Sequence, residues 1–231
     1  MTTMPTTIAL PTPEEGHLAI DFINTAAVQI DPAVPHECEM TEETLTTLAD
    51  VGRWTASINA LPTPLSACLQ ADQTDGAGQL ADLVAIREAL RQIVRARIYA
   101  IAVPGEALDL VNTRLLPVLA ATRLQELDDA FVPVHANGAE PSVQAALAHL
   151  HWTIGLSAVQ LLTDDKELAL IRECPGDDCG YLFRDSSRGR RRWCSMRSCG
   201  NRAKVKRFRG KHHHEEASRG SGWYVVGRDE S

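Results

Sequence analysis

The chain of 231 residues, 44% apolar and 23% charged, is long enough for one domain of ordinary size plus a small module and too apolar to be disordered throughout. No apolar run approaches the roughly 18 residues a membrane-spanning helix needs, so no membrane partner is expected. The net charge of −7 conceals a division: residues 1–171 hold 8 basic and 22 acidic side chains, residues 172–211 hold 13 and 4, and residues 212–231 hold 2 and 4.

A basic segment on an acidic body suits a module that meets a polyanion while the rest stays off it, because nucleic-acid binding draws on local positive charge. Taken from the start, residues 1–13 contain three prolines and read as a flexible arm. The arm has neither the basic start nor the apolar length of a secretory signal, so a cytoplasmic location is expected. In the next stretch Leu18, Ile20 and Phe22 alternate with Ala19 and Asp21, which predicts a strand. His17, Asp21 and Asn24 are candidate ligand-pocket residues, with capping of the adjoining turn as the plainer role for Asp21 and Asn24.

From Thr41 to Ala60, Glu42 and Glu43 in a first turn and Leu45, Leu48, Val51 and Trp54 nearly in register predict an amphipathic helix. Pro62 and Pro64 end it, and a polar connection is expected up to Gly78. Gly76 to Ala81 matches a dinucleotide fingerprint in form only, since no strand precedes it. Residues 79–103 carry the strongest helical pattern, with Arg87, Arg91, Arg95 and Arg97 expected on a solvated flank, paired with the domain's own carboxylates. A helix over 106–116, a hairpin of 121–127 with 130–134 and a long helix over 143–162 follow. His149 and His151 lie two apart on that last helix and are not joint ligands. No Gly-x-Ser-x-Gly elbow, no phosphate-cradling loop and no His-Glu-x-x-His is present, so no enzyme is expected.

Cys174, Cys179, Cys194 and Cys199 form two pairs with four residues inside each and fourteen between them. That spacing predicts one structural Zn2+ closed by four thiolates, with no position left for water. The segment has too few large apolar groups for a core of its own, so the metal is expected to supply folding energy on the order of 10–16 kcal/mol. Tyr181 to Arg184 and Arg190 to Cys194 predict a hairpin around the turn-forming residues 185–189. Residues 201–208 predict a helix with Cys199 at its N-terminus, where the dipole favours a thiolate. Its Val205 and Phe208 are expected against the hairpin and metal. Candidate nucleic-acid contacts are Arg202, Lys206 and Arg209 on one face of that helix, and Arg190, Arg192 and the preceding Arg188. Arg202 has an alternative role, bracing the fold by pairing with Asp185. The triplet His212, His213 and His214 with Glu215 and Glu216 reads as a solvated tail within 212–231.

The run Cys174-x4-Cys179-Gly180-x-Leu182-Phe183-x-Asp185, continued by Arg191-Arg192-Trp193-Cys194-Ser195-Met196-x-x-Cys199-Gly200-Asn201-Arg202, resembles the CGNR-type zinc finger of bacterial proteins. Gly16 to Thr25 is similar to the opening motif of the ABATE domain that precedes the finger in that family. The resemblance implies a stress-responsive transcription regulator. The fold expected is mainly α with small β elements: a helical ABATE-like domain over 14–171 and a treble-clef-like zinc finger over 172–211. The finger would bind DNA, and the N-terminal domain would sense a small-molecule effector or associate with a second copy in a homo-oligomer. RNA suits the finger less, because few aromatic residues are free to stack on bases. The alternative class is a protein-interaction module whose basic finger docks on an acidic protein surface.

Overall fold

The computed structural model describes residues 16–30, 38–72, 76–127, 130–136, 140–177 and 179–209. The arm over 1–13 and the histidine-bearing tail lie outside the described residues. Two long helices frame the core: α4 (Ala77–Ile98) and α6 (Val143–Thr163). α4 buries Leu83, Ile86, Leu90, Ile93 and Val94, and α6 buries Leu147, Leu150, Ile154, Ala158 and Leu161. Among the described residues α6 is the one helix long and apolar enough to cross a membrane, and most of it is buried inside the protein.

α1 (Leu18–Ile23) packs on both long helices, and the Ala19 amide donates to Ser157 Oγ at 3.0 Å. The strand expected here is therefore a helix. Alternation identifies a strand only when one of its faces meets water, and all six residues are buried, Asp21 included. The next boundary also moves. Thr41, Glu42 and Glu43 belong to β2 (Cys38–Glu43), which pairs antiparallel with β1 (Ala26–Ile30). The helix α2 (Leu48–Ser57) starts at a capping box, in which Thr47 Oγ1 accepts from the Asp50 amide at 3.1 Å and Asp50 accepts from the Thr47 amide at 2.8 Å. Where a polar connection was expected there is a helix, α3 (Thr63–Gln70). Pro64 opens it, because a first-turn amide needs no intrahelical partner.

α5 (Gly105–Leu110) runs into a π-helical turn (Val111–Leu115) and a 3-10 turn (Leu116–Ala121). The expected hairpin follows as β3 (Thr122–Leu127) and β4 (Ala130–His135), in register from Thr122 opposite His135 to Leu127 opposite Ala130. After α6, a short α7 (Asp165–Leu168) capped by Asp164 leads to β5 (Ile171–Glu173), β6 (Leu182–Arg184), a π-helical turn (Met196–Gly200) and a helix over 201–209, α8. The fold is mainly α with three two-stranded antiparallel sheets among the described residues.

Arg87, Arg91 and Arg95 follow one another at one-turn spacing on α4, and their pairing with carboxylates is as expected. Their setting is not, for they are 0%, 1% and 3% exposed. Arg87 makes two bonds to Glu43, at 2.7 and 2.5 Å, and one to Glu88 at 3.0 Å. Arg91 donates to the carbonyls of Ile23 and Ala26, and Arg95 lies 3.4 Å from Glu173. The β1–β2 hairpin and the start of the C-terminal module cover this face of α4. Charge on a helix flank does not by itself say which partner will cover it.

Candidate metal centre and basic surface

The finger grows out of the body. Ile171 of β5 and Leu182 of β6 belong to the main core, at 1% and 0% exposure. Asn24 clamps the buried Leu182 backbone at two points, donating from Nδ2 to the carbonyl at 2.8 Å and accepting at Oδ1 from the amide at 2.9 Å. Gly180, at φ +56°, lies so close to β1 that a Cβ would stand 2.2 Å from Val28 Cγ2, so only glycine serves here. Arg184 makes two bonds to Glu167, at 2.6 and 2.8 Å, and chiefly through them holds that carboxyl down to about 2. Tyr99 Oη donates to Glu173, the neighbour of Cys174.

The first cysteine pair turns the chain between β5 and β6. The Cys174 amide bonds the Tyr181 carbonyl at 2.9 Å, and the Cys179 amide bonds the Gly176 carbonyl at 3.2 Å. A Cβ on Gly176 would lie 2.9 Å from Cys199 Sγ, which ties the tightness of this turn to the second pair. Cys194 precedes Ser195, whose Oγ accepts from the Arg197 amide at 3.2 Å, and the following turn brings Cys199 to the start of α8.

The four sulfurs lie within 4.8 Å of one another, with Cys179 to Cys194 at 3.6 Å and Cys194 to Cys199 at 3.7 Å. These distances are far too long for disulfides and match the roughly 3.8 Å edge of a tetrahedron with Zn–S bonds of about 2.3 Å. The donor chemistry fits as well. The crowding of the sulfurs splits their pKa values: the neighbouring Cys179 and Cys194 side chains hold Cys174 far below the usual thiol range, while the Cys174 and Cys179 side chains push Cys194 up. A cluster in which some sulfurs ionise only because others keep their protons is one in which a divalent cation can replace those protons. Four sulfurs on one ion leave no open coordination position, so the centre is structural and can hold one zinc ion.

The finger's interior differs from the expected one in two respects. Residues 190–194 form no strand: β6 pairs with β5, which lies before the first cysteine. Buried Asp185 turns the chain away from the sheet, accepting from the Ser187 amide, the Ser187 hydroxyl and the Gly189 amide at 2.9, 2.6 and 2.8 Å. Val205 and Phe208, expected against that strand and the metal, are 42% and 64% exposed. Phe183, Tyr181 and Trp193 pack around the cysteines instead. Arg191 braces this interior, its guanidinium 4.7 Å from the Phe183 ring centroid and bonded to the carbonyls of Arg184, Trp193 and Cys194.

Arg188, Arg190, Arg192, Arg202, Lys206 and Arg209 are all exposed. Arg190 and Arg192 line a groove of about 550 Å3 with Trp193 and Met196. Arg202 and Lys206 line another, of about 320 Å3, with Arg207 on its rim, a residue the helical spacing had passed over. Trp193 borders both grooves. Arg188 and Arg209 lie outside them. Arg202 does not pair with Asp185 but donates from Nη2 to Cys199 Sγ at 3.0 Å, and Lys206 reaches Asp177 at 2.7 Å. Of the candidate pocket residues, Asp21 and Asn24 border a crevice of about 400 Å3 between body and finger, with Trp54, Tyr181 and Cys194. His17 lies apart from it, 3.5 Å from Glu167.

A family model for the CGNR zinc finger matches residues 171–212. A second, for ABATE, described as "Putative stress-induced transcription regulator", matches residues 16–165. No curated protein matches the chain. With well over half its length matched by that second model, and with four clustered thiols in the segment matched by the first, the chain belongs to the ABATE family and carries a CGNR zinc finger at its C-terminal side.

Proposed function

We propose that this regulator acts by binding duplex DNA through its zinc finger, with the ABATE body as the sensing or self-associating part. The observation that carries the reading is the paired basic grooves on either side of Trp193, Arg190 and Arg192 in one, Lys206 and Arg207 in the other. Guanidinium and ammonium groups so arranged can hold phosphates along a backbone, and exposed arginines can also reach guanine edges. Lys206 remains available to a phosphate, since its pair with Asp177 joins two side chains that are 74% and 73% exposed and costs little to exchange. Arg202 is different: bonded to a zinc-site sulfur, it positions the metal centre and contributes to DNA binding only indirectly.

The test is a titration of zinc-loaded protein against mixed duplex DNA at two salt concentrations, with a chelated sample alongside. With about five phosphates engaged, affinity should fall roughly 10²–10³-fold between 50 and 200 mM salt. Chelation should abolish binding. A flat salt response, or binding indifferent to chelation, would reject the DNA reading and favour docking on an acidic protein surface.

A further inference from the structure

We propose that Cys194 is the reactive thiolate of the four-sulfur centre, the position at which a two-electron oxidant of the peroxide class opens the zinc site. The four sulfurs are not equivalent in access. Cys174, Cys179 and Cys199 are 0%, 7% and 1% exposed, while Cys194 is only partly buried. It also borders two openings: the crevice between body and finger, and the groove lined by Arg190, Arg191 and Arg192.

Nor are the sulfurs equivalent in charge. An N–H donor withdraws electron density from a thiolate and blunts its attack. Cys174 Sγ accepts from the Cys194 amide at 3.4 Å, and Cys199 Sγ accepts from Arg202 at 3.0 Å. Among the described residues no N–H donates to Cys194 Sγ. Its surroundings supply positive charge without quenching it: Arg191 holds the Cys194 carbonyl, and Arg190 and Arg192 flank the groove through which a small oxidant reaches the sulfur. An accessible thiolate in an electropositive setting is the one oxidised first.

The chemistry balances with hydrogen peroxide alone. The Cys194 thiolate attacks one peroxide oxygen, the O–O bond breaks, hydroxide leaves and a sulfenic acid forms. The Cys179 sulfur, 3.6 Å away, attacks the sulfenic sulfur and expels a second hydroxide. Two thiolates and one peroxide thus give one disulfide and two hydroxide ions, the sulfurs losing the two electrons that the peroxide gains. Two thiolates remain, too few to close a tetrahedral site. This holds whether or not the finger binds DNA.

The experiment uses the zinc-loaded full chain, stoichiometric hydrogen peroxide and dimedone as a sulfenic-acid trap. Peptide mass spectrometry locates the adducts, and a chromogenic chelator reports released zinc. Cys194 should carry the adduct about tenfold ahead of Cys174, Cys179 and Cys199, with zinc release keeping pace. Without dimedone, the Cys179–Cys194 disulfide should form. First labelling at any of the other three cysteines, or labelling at Cys194 only after zinc has been stripped, would overturn the proposal. Brief iodoacetamide treatment of the zinc-loaded protein gives an independent reading without oxidant: Cys194 must again lead the four, or the assignment fails.

Discussion

Single side chains join the two halves of this protein, and Asn24 is the clearest of them. Replacing it with alanine leaves the Leu182 amide and carbonyl, buried in the main core, without their partners. The expected cost is about 1–3 kcal/mol, measurable as a lower urea midpoint, and no change in the midpoint would mean that the clamp carries no weight. His149 offers a test by pH. It is 4% exposed, its ring packs edge-on 5.3 Å from those of both His135 and Trp152, and burial, with some help from His135, pushes its pKa down to about 4. Above its unfolded value of about 6.5 the residue is neutral in both states and indifferent to pH. Between 6.5 and 4 the unfolded chain binds a proton that the native state refuses, so stability falls as pH falls, by up to roughly 3 kcal/mol. Melting curves from pH 7 to pH 4.5 should show that decline, and the variant His149→Gln should flatten it.

At the scale of the element, α8 serves two purposes that substitution can separate. Arg202 touches the metal site, so Arg202→Met should speed zinc transfer to a competing chelator and lower zinc affinity by about 10–100-fold. Lys206 pairs with the exposed Asp177 and, among the described residues, bonds no cysteine, so Lys206→Ala should leave zinc in place and weaken DNA binding with a shallower salt dependence. Arg192→Ala, in the loop before α8, should behave as Lys206→Ala does. Zinc loss on Lys206→Ala, or unaltered zinc retention on Arg202→Met, would contradict this division of labour. The same element shows where reading by pattern stopped. The spacing of Arg202, Lys206 and Arg209 placed them on one face, but not which of them would be drawn to the sulfur.

At the scale of the whole molecule, the finger is not an appendage. β5 and β6 place Ile171 and Leu182 in the core built by α1, α4 and α6, and Glu173 reaches the buried Arg95 of α4. The metal and the body should therefore melt together. Chelation is expected to lower the midpoint of a single cooperative transition, by about 2–4 °C for each kcal/mol lost, and not to create a second transition. Two resolved transitions would show that the modules fold independently. By the same reasoning, a chain ending at residue 170 should be much less stable than the full one, because the core positions of Ile171 and Leu182 would then stand empty.

The four cysteines, their spacing and the charge division were legible in the sequence because they depend on residue identity alone: only thiolates in such pairs close around zinc, and net charge needs no coordinates. The long helices α4 and α6 and the β3–β4 hairpin were legible too, because each carries its own period or turn. What the sequence left undecided was which surface covers which. Leu18–Ile23 alternates like a strand yet is a helix, because burial on every side removes the solvent that gives alternation its meaning. Arg87, Arg91 and Arg95 look like a solvated flank until the β1–β2 hairpin and Glu173 close over them. The strand that pairs with β6 comes from before the first cysteine, because the Asp185 turn diverts the segment after it. Those outcomes are settled by contacts between residues far apart in the chain, and such contacts exist only once the tertiary structure has formed.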